Sequence, residues 1–538
     1  MQPTSAIWDP YADKITPDAT VQFELIDVDA AEVASASANV AGAEFTAIVQ
    51  THDEITQNSL KLATLEPELW RLDGTWVLPS KERTNGETGW WSSNYSDESG
   101  SFADAPILTF TFATPQSSDG FTLVFDTKAK EYAKRFTVKT YNAAGEVISQ
   151  AAITDNSEVI RMVDCASENY SKVEIKFIQT AKPYRRVRVT EVVFGYLEQF
   201  TKDKITSMKI TWESALYMQN LPTNKLSVTI DNSDRAYNVL NPEGIYKFLQ
   251  TGQGINAMLS VNEESVNMGR YYFQSATAND DALTATITAY DRLYRLDQGK
   301  CNIGKSGTWT VAEAVAAVIA DSGEELRTDI PAEIGARIIR KCIPPETTHR
   351  EALRLIAQAA MTIMYIDRLD RLTAKDINFT QNVDELTARN MTSWGNAKDT
   401  GLINKVTVEA ADEYSEGAPI IYTASNQQDL TLSLKATAVK TAPFIAASNQ
   451  QPGEPLQLLE INNPLANSQA VAEWILALAG KRNQYTITSQ GNPARDLADC
   501  VSIESVYGTH DKATVIKQEV NLSGSLLDSI TAYGGEGE

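Results

Sequence analysis

Short runs in which apolar and polar residues alternate constrain the fold of this chain more than any single motif. In the run LTATITAYD, Leu283, Ala285, Ile287 and Ala289 fall on one side, and threonines occupy the other. Many runs of this kind follow one another, separated by turn residues, and helical periodicity is confined to a few segments. The pattern predicts a mainly β protein with a smaller α+β part.

Five parts with different patterning follow one another along the 538 residues, a length that suggests about three or four domains of roughly 150 residues each. Residues 1–50 form a short segment rich in strand-like runs. Residues 51–200 alternate short strands with turns, which predicts an antiparallel β-sandwich. Residues 201–300 predict a second β domain, either barrel or sandwich. Residues 301–380 predict an α+β unit of two helices and a hairpin, and residues 381–538 predict strands with one helix.

Three segments show helical periodicity. The first two begin with a threonine followed three residues later by a glutamate, which is the spacing of a capping box: Thr310 with Glu313, and Thr348 with Glu351. The third, NSQAVAEWILALAGK, ends at Gly480, a residue typical of helix C-termini. The run TIMYIDRLDRLTAKDI, which follows the second helix, predicts a hairpin with its turn at DRLD.

The chain is acidic, with 47 Lys and Arg residues, 70 Asp and Glu residues and a formal net charge of −23. Phosphates are bound by clustered Lys and Arg, so this balance argues against sequence-specific nucleic-acid binding and against anionic membrane surfaces. One basic run, KPYRRVRV at 182–189, is interpreted as an edge strand with solvated charges.

Targeting and membrane signals are also missing from the sequence. No apolar stretch reaches the length of about 18 residues that a spanning helix needs, so we expect no membrane span. The first residues, MQPTSAIWDPYADKI, lack the basic region and apolar run of a signal peptide. These features predict a protein made and assembled in a cytoplasm.

The cysteines give no sign of a metal centre or a disulfide framework, because they are far apart in the sequence and form no CxxC pair. They are Cys165, Cys301, Cys342 and Cys500. We therefore predict no metal site and no cofactor, and the cysteines fit a reducing place of synthesis.

The histidines give no sign of catalysis. His52, His349 and His510 are dispersed, and His349, in the first turn of a predicted helix, is expected at the surface. No HExxH, GxSxG, P-loop or Rossmann fingerprint occurs. The run DNSDRAYN lacks the glycine and the terminal glutamate of a calcium loop and is interpreted as a polar turn. We therefore predict no catalytic residues and expect that the chain is not an enzyme.

A dense group of aromatic residues in the predicted sandwich is the candidate ligand or interface patch. Aromatic faces stack on sugar rings, and neighbouring polar groups can bind the hydroxyls. The alternative is that the tryptophans fill the core of the sandwich. The candidate residues are Trp70, Trp76, Trp90, Trp91 and Tyr95, with Asp73, Asn94 and Arg185 as polar neighbours.

Residues 200–538 resemble prophage-type tail proteins. A strand ending in DNSDRAYNVLNP is followed by a tyrosine, by the GQ pair of FLQTGQGINAML, and by MGRYYFQSATANDDALTATITAYDRLYRL. The segments THREALRLIAQAAMTIMYIDRLDRLTAKDI and NPARDLADCVSIES resemble the helix, hairpin and final strand pair of those proteins. In the last segment Ala498 stands where that family commonly has glycine.

The resemblance implies a tail-tip or baseplate hub of the late control gene D type. Such a hub joins the tail tube to the distal tip or needle and to the other baseplate and fibre proteins. Hubs of this type are typically homotrimers in which each chain contributes two tube-type β-barrels to a ring. The barrels would then be residues 201–300 and 381–538, completed by residues 1–50. The implied location is the virion, assembled in the bacterial host cytoplasm.

Residues 51–200 resemble the galactose-binding-like, or discoidin-type, jelly-roll sandwich found beside tail modules. The resemblance rests on WRLDG, GWWSSNYSD, PILTFTF, GFTLVFD and KPYRRVRVTEVVFG. Many members of that fold bind carbohydrate and many do not, so no ligand set transfers. The alternative function is therefore a carbohydrate-binding or cell-wall-degrading protein that recognises host surface glycans. A hub could also carry such a module for contact with the host wall.

The acidic composition fits a tail protein through which DNA is ejected. DNA must slide through the lumen of a tail, and like charge would keep it from sticking to the wall. We therefore expect an acidic lumen lining, and a basic lining would contradict this hypothesis.

Overall fold

The computed structural model describes residues 17–26, 37–38, 51, 61–62, 64, 66–67, 69, 76–77, 89–241, 249–261, 264–303, 307–341, 347–394, 396–400, 405–410, 420–425, 437–439 and 467–535.

Strands account for 51% of the structure and helices for 12%, which confirms the prediction of a mainly β fold with a minor α part. In chain order the strands up to residue 290 are β1 Asp18–Ile26, β2 Ser37–Ala38, β3 Lys61–Leu62, β4 Trp76–Val77, β5 Trp90–Trp91, β6 Ile107–Phe125, β7 Ala133–Tyr141, β8 Val147–Ile153, β9 Ile160–Thr180, β10 Arg188–Val193, β11 Gly195–Phe200, β12 Ile205–Glu213, β13 Lys225–Asp231, β14 Gly254–Val261, β15 Glu264–Asn279 and β16 Thr284–Tyr290. The strands that follow are β17 Gly307–Thr310, β18 Arg327–Asp329, β19 Ile338–Lys341, β20 Ile363–Ile366, β21 Arg371–Lys375, β22 Asn382–Leu386, β23 Asn396–Asp399, β24 Lys405–Ala410, β25 Ile420–Ser425, β26 Thr437–Val439, β27 Asn483–Gln490, β28 Cys500–Glu504, β29 His510–Leu522 and β30 Leu526–Gly534.

The described helices lie in the C-terminal half of the chain. A 3-10 helix at Arg292–Asp297 precedes α1 Val311–Ser322, α2 Ala332–Gly335, α3 His349–Ala359 and α4 Asn467–Ala479. The three predicted helices correspond to α1, α3 and α4. The predicted hairpin is formed by β20 and β21, which pair antiparallel.

Side-chain caps explain where α1 and α3 begin. At α1 the predicted capping box is complete, because the Thr310 hydroxyl accepts from the Glu313 N–H at 3.2 Å and the Glu313 carboxylate accepts from the Thr310 N–H at 2.9 Å. At α3 the Thr348 hydroxyl accepts from the Glu351 N–H at 3.2 Å. The Glu351 carboxylate instead binds Arg354 at 2.7 Å, so only half of this box forms.

A thirteen-stranded sheet joins the two ends of the chain. Its strand order is β11-β1-β14-β15-β16-β13-β12-β29-β30-β27-β23, and β28 pairs with β29 and with β22 beside this path. The pairing of β12 with β29 connects strands that lie some three hundred residues apart in the sequence. Of the strands that carry the tail-protein resemblance, β13 to β16 and β28 therefore form one sheet with the N-terminal strand and the last strands of the chain, whereas β20 and β21 lie in a separate three-stranded sheet.

Two hydrophobic clusters lie against the thirteen-stranded sheet. The first contains the inward residues of β1 and β12–β16, such as Leu226, Val228 and Ile287, and it continues into the buried faces of α1 and α3. The second contains residues of β22 and β27–β30, including Ile487 and Ile530. The sheet thus has two cored halves, which meet where β12 pairs with β29.

A seven-stranded sheet with its own core lies between β1 and β11 in the sequence. Its order is β5-β10-β6-β9-β7-β8, with β2 paired to β6. The core is rich in phenylalanine and includes Phe110, Phe125 and Phe177. The segment leaves and re-enters the thirteen-stranded sheet at neighbouring strands, because Ile26 of β1 is in register with Gly195 of β11.

The strand pairings can be compared with the predicted division of the chain, in which residues 1–50 and 51–200 are separate parts. The N-terminal fifty residues contribute β1 to the larger sheet and β2 to the smaller one. Residue 200, the expected end of the sandwich, is the last residue of β11, whose partner is β1. Four further sheets of two or three strands complete the described structure. None of the described helices is long and apolar enough to cross a membrane.

Candidate functional site

The loop after β13 is fixed by side-chain hydrogen bonds and presents apolar residues to solvent. The buried Asn232 accepts from the Tyr237 N–H at 3.0 Å and donates to Asn238 at 2.8 Å. Tyr237 is buried. Val239 and Leu240 follow directly, and Leu240 is 93% exposed. Val239 beside it is 64% exposed, and we take this pair of adjacent exposed aliphatic residues as a candidate contact with another subunit.

Carboxylates in the same loop support the interpretation of a polar turn. Asp231 accepts from the Ser233 N–H at 3.2 Å, and Asp234 accepts from the Ala236 N–H at 3.0 Å. Both carboxylates hold the backbone two residues further along, as in an Asx turn. They stabilise the loop that carries Leu240.

A second exposed apolar tip lies in the turn between β28 and β29. Tyr507 is 89% exposed, and Val506 beside it is also exposed. The turn is closed by the Ser505 N–H, which donates to the Thr509 carbonyl at 2.8 Å, and Gly508 takes a positive φ of 76°. This tip also combines an ordered backbone with a large exposed side chain.

The outward side of the larger sheet is polar and locally balanced in charge. The hydroxyls of Thr229 and Thr286 lie 3.1 Å apart across β13 and β16. On β12 and β29, Lys209 pairs with Glu519 at 2.7 Å, and Lys517 pairs with Glu213 at 3.3 Å. These ion pairs do not test the charge of a lumen, so an acidic lumen lining stays a prediction.

The structure places the candidate aromatic residues in different environments. Trp90 is 2% exposed and stacks on Phe177 with ring centroids 5.5 Å apart. Trp91 is 1% exposed, and the guanidinium of Arg188 lies 4.3 Å from its ring centroid. Neither indole face is available to a sugar. For these two residues the positions favour the alternative that they fill the interior.

The other candidate residues divide into exposed, half-buried and undescribed ones. Tyr95 is 43% exposed, and Asn94 beside it is exposed and donates to the Asp104 carbonyl at 3.3 Å. Trp76 is half-buried on β4. Trp70 and Asp73 lie outside the described residues. Tyr95 and Asn94 are therefore the described members of the patch that face solvent, and glycan binding stays a prediction.

The basic run at 182–189 is not a solvated edge strand, so that interpretation is wrong. β10 lies between β5 and β6, and Arg185, Arg186 and Arg188 are all buried. Each arginine has specific partners that offset the cost of burying its charge. Sequence alone did not show these partners, because they come from segments far away in the chain.

The partners of these arginines tie several segments to β10. Arg185 pairs with Glu131 at 3.5 Å. Arg186 donates to the Ser92 carbonyl at 2.6 Å and to the Tyr95 hydroxyl at 2.8 Å. Its guanidinium also lies 4.2 Å from the Tyr95 ring centroid. The candidate polar residue Arg185 and the exposed Tyr95 thus both bond to buried residues of the module, Glu131 and Arg186 respectively.

Three residues that are far apart in the sequence lie close together beside α1 and α3. Cys301 lies after the 3-10 helix, Asp321 in the last turn of α1, and His349 at the start of α3. One ligand atom from each lies within 4.8 Å of the others. His349 Nε2 is 2.9 Å from Asp321 Oδ2. Thiol, carboxylate and imidazole together can hold a divalent metal ion.

His349 is 5% exposed, so the prediction of a surface histidine is wrong. The N-terminus of α3 packs against the loop before α1, and the Cys301 N–H donates to the Thr347 carbonyl at 2.9 Å. The pKa of Asp321 is lowered, first because the Asn302 N–H donates to its carboxylate at 2.7 Å and further by the contact with His349. The sequence shows only a single histidine in the first turn of a predicted helix, so it does not predict this cluster.

Comparisons with known proteins give structural but not sequence matches. No protein-family model matches this sequence, and no curated protein matches it either. The tail protein from Neisseria meningitidis MC58 shares 12% identity over 62% of this chain and 93% of that chain, with a TM-score of 0.46. The 43 kDa tail protein of prophage MuSo2 from Shewanella oneidensis shares 13% identity over 62% and 95%, with a TM-score of 0.43.

A prophage tail protein from Listeria monocytogenes EGD-e shares 9% identity over 63% of this chain and 92% of that chain, with a TM-score of 0.41. These neighbours belong to the class of protein that the sequence resembles. At such identities and TM-scores, however, they carry no conclusion about the activity or partners of this chain. The function has to be argued from its own residues.

Proposed function

We propose that this chain is a structural protein of a phage or phage-like tail and acts as the hub of its tip or baseplate. The observation that carries the proposal is the thirteen-stranded sheet, in which the strands with the tail-type motif connect β1 to the last strands of the chain. Two cored halves joined through β12 and β29 are what two barrel domains of one hub subunit require.

The mechanism of a hub is assembly, so its working parts are contact surfaces. The apolar tips at Leu240 and Tyr507 are exposed in the single chain. Burying them against a second copy or a neighbouring tail protein would stabilise the assembly by removing apolar surface from water. We infer a homotrimer that contacts the tail tube on one side and the distal tip and baseplate proteins on the other. No catalytic role is proposed.

The seven-stranded module is proposed to be an appendage of the hub. It has its own core, and its ends leave the larger sheet at the register pair of Ile26 and Gly195. Contact with a host glycan remains the alternative role of this module. Tyr95 and Asn94 are the exposed positions for such a contact. Replacing Tyr95 by Ala tests the first of them, and the same change removes the hydroxyl that accepts from Arg186.

The decisive experiment is light scattering on the full chain and on a chain without the module. In the second chain, residues 27–194 are replaced by an Asn-Gly turn that joins Ile26 to Gly195, a connection suited to paired antiparallel strands. We expect both chains to form trimers, the full chain with three times its 59.0 kDa mass. Monomers at every concentration would contradict self-assembly, and a trimer lost only on excision would contradict the modular arrangement.

Point variants show whether the apolar tips form the contacts. Leu240→Asp and Tyr507→Asp should each weaken trimer formation by at least about tenfold, equivalent to about 1.4 kcal/mol. Val147→Asp is the matched control, because Val147 is also exposed but lies on β8 of the appended module. Circular dichroism should show the same fold for all variants. Equal trimer formation by the tip variants and the control would exclude both tips as subunit contacts.

A further inference from the structure

We propose that Cys301, Asp321 and His349 form a binding site for one divalent transition-metal ion, and that Zn²⁺ fits their donor set best. The proposal concerns a site on a single chain and does not depend on the hub function. One thiol, one carboxylate and one imidazole supply sulfur, oxygen and nitrogen donors. Zn²⁺ accepts all three, whereas Ca²⁺ and Mg²⁺ require oxygen ligands.

The distances between the ligand atoms fit a single ion. Bonds of about 2.0–2.3 Å from Zn²⁺ to nitrogen, oxygen and sulfur place tetrahedral ligand atoms roughly 3.3–3.6 Å from one another. In the structure, His349 Nε2 and Asp321 Oδ2 are 2.9 Å apart, and all three ligand atoms lie within 4.8 Å of one another. Side-chain adjustments of less than about 1 Å would complete the geometry.

The backbone around the site holds the ligands in place. The Cys301 N–H bonds to the Thr347 carbonyl at 2.9 Å, and Lys300 forms a β-bridge with Thr348. This bridge fixes the cysteine loop against the start of α3. Gly299 packs against the imidazole so closely that a Cβ there would lie 3.1 Å from His349 Cε1. A glycine at this position therefore allows the backbone to cover one side of the ring.

The carboxylate has a partner outside the cluster, as metal ligands commonly do. The Asn302 N–H donates to Asp321 Oδ2 at 2.7 Å, which orients the carboxylate towards the imidazole. The hydrogen bond between His349 and Asp321 occupies the same atoms that would bind the ion. A metal ion would take the place of the proton between His349 Nε2 and Asp321 Oδ2, and both side chains would stay in place.

Burial of the site is unequal, which gives the ion a route from solvent. Cys301 and His349 are buried, whereas the side chain of Asp321 is 25% exposed. Three protein ligands leave the fourth tetrahedral position for water on the side of Asp321. A bound ion would tie the cysteine loop, the end of α1 and the start of α3 together. The expected role is therefore stabilisation of this α+β unit.

Cobalt binding tests the site directly, because Co²⁺ occupies tetrahedral zinc sites and reports a thiolate ligand by a charge-transfer band. The full chain, stripped of metal with a chelator, is titrated with Co²⁺ and then with Zn²⁺. We expect one Co²⁺ per chain, a charge-transfer band, visible bands of a tetrahedral ion, and loss of all bands when Zn²⁺ displaces Co²⁺. Zn²⁺ should also raise the melting temperature.

Variants separate this site from adventitious binding. Cys301→Ser should abolish the charge-transfer band, and Asp321→Asn should weaken Co²⁺ binding by at least about tenfold. Asparagine keeps an acceptor for the Asn302 N–H, so the fold is retained. Cys165→Ser and Cys500→Ser, at buried cysteines outside the cluster, should bind like the unmodified chain. Absence of Co²⁺ binding, or a charge-transfer band that survives Cys301→Ser, would overturn the proposal.

Discussion

The seven-stranded and thirteen-stranded sheets both bury an apolar side, but different residues form their cores. The smaller sheet packs phenylalanines and Trp90 from its own strands into one closed cluster. The larger sheet packs mainly aliphatic residues, together with a few aromatic ones such as Trp212 and Tyr271, and α1 and α3 cover part of this core. Aromatic side chains bury much area per residue, so a short segment can build a complete core from them. The phenylalanines and Trp90 of this segment thus form the core of a module that folds on itself.

Both units have a buried arginine that pairs with two buried carboxylates. In the smaller unit the arginine is on β10, and in the larger one it lies between β27 and β28. In the smaller sheet Arg188 pairs with Asp126 at 3.0 Å and with Glu66. In the larger sheet the corresponding residue is Arg495, which pairs with Asp384 at 2.5 Å and with Asp528. Different cores and equivalent ion clusters make it possible to perturb each unit by the same chemical change.

Removal of these arginines should have the largest effect and would test whether the units are independent. Arg495→Ala leaves two carboxylates buried without their cation, so the free energy of unfolding of the larger sheet should fall by about 5 kcal/mol. Arg188→Ala should destabilise the smaller sheet by a similar amount. Calorimetry should show two unfolding transitions, of which each substitution lowers only one.

Lys209→Ala is the control for loss of positive charge. Lys209 pairs with Glu519 at 2.7 Å on the exposed side of the larger sheet, and such pairs contribute about 0–1 kcal/mol. It should leave both transitions almost unchanged. If either buried arginine variant shifted both transitions together, the comparison between two independent cores would fail.

Substitution of Trp90 should have the next largest effect and sharpens the distinction between core and ligand patch. Trp90→Ala should destabilise the smaller sheet by about 3–5 kcal/mol, because it opens a cavity beside Phe177. Trp90→Phe should cost much less. It keeps an aromatic ring and removes an indole N–H that is buried without a partner among the described residues.

Tyr95→Ala is the matched surface variant for Trp90. Its ring is partly exposed, so we expect a smaller loss of stability. On a glycan array at a temperature well below the melting temperature of the variant, reduced binding by Tyr95→Ala would support the alternative role of the module. A stable Trp90→Ala variant that loses glycan binding would contradict the core assignment of Trp90.

Local elements could be predicted from the sequence because their signals lie within a few residues. The Thr310–Glu313 box, the hairpin at DRLD and the C-terminus of α4 at Gly480 all depend on short-range spacing. The mainly β class followed from the same alternation that places Leu226 and Val228 inside and Ser227 outside on β13. Such patterns survive folding because a strand exposes alternate residues to opposite sides.

Long-range contacts could not be predicted from one sequence. The sequence predicts His349 at the surface, and only the fold brings Asp321 and Cys301 to it. The run KPYRRVRV predicts solvated arginines, yet Arg188 contacts Glu66, which lies more than a hundred residues away in the chain. Burial of charge depends on partners that only the tertiary structure supplies. The candidate metal site and the ion clusters therefore cannot be predicted from the spacing of residues along the sequence.

The expected change in stability per pH unit is smaller than the losses expected for the Arg495 and Trp90 variants, and it is confined to the larger sheet. Asp291 is 1% exposed and caps the 3-10 helix, where it accepts from the Leu293 N–H at 3.1 Å and the Asn224 N–H at 2.8 Å. Burial raises the pKa of Asp291 to about 8, although these two backbone donors favour the charged form, and the nearby Asp370 raises it further. The folded state therefore holds a proton that the unfolded chain has released by neutral pH.

A raised carboxyl pKa in the folded state fixes the sign of the pH dependence. The stability that protonated Asp291 contributes is complete below its unfolded pKa of about 4. It is lost as the pH rises to the folded pKa of about 8. The variant Asp291→Asn lacks this titration. Relative to the variant, the unmodified chain should lose about 1.4 kcal/mol of unfolding free energy per pH unit in this range.

Chemical denaturation of both chains from pH 4 to pH 9 measures this difference, and only the transition of the larger sheet should show it. Asparagine offers an acceptor to only one of the two backbone N–H groups, which adds a constant cost that does not change with pH. The slope of the difference is therefore the test. A flat difference would mean that the N–H groups of Leu293 and Asn224 outweigh burial and keep Asp291 ionised in the folded state. A slope in the transition of the smaller sheet would instead mean that the two units unfold together.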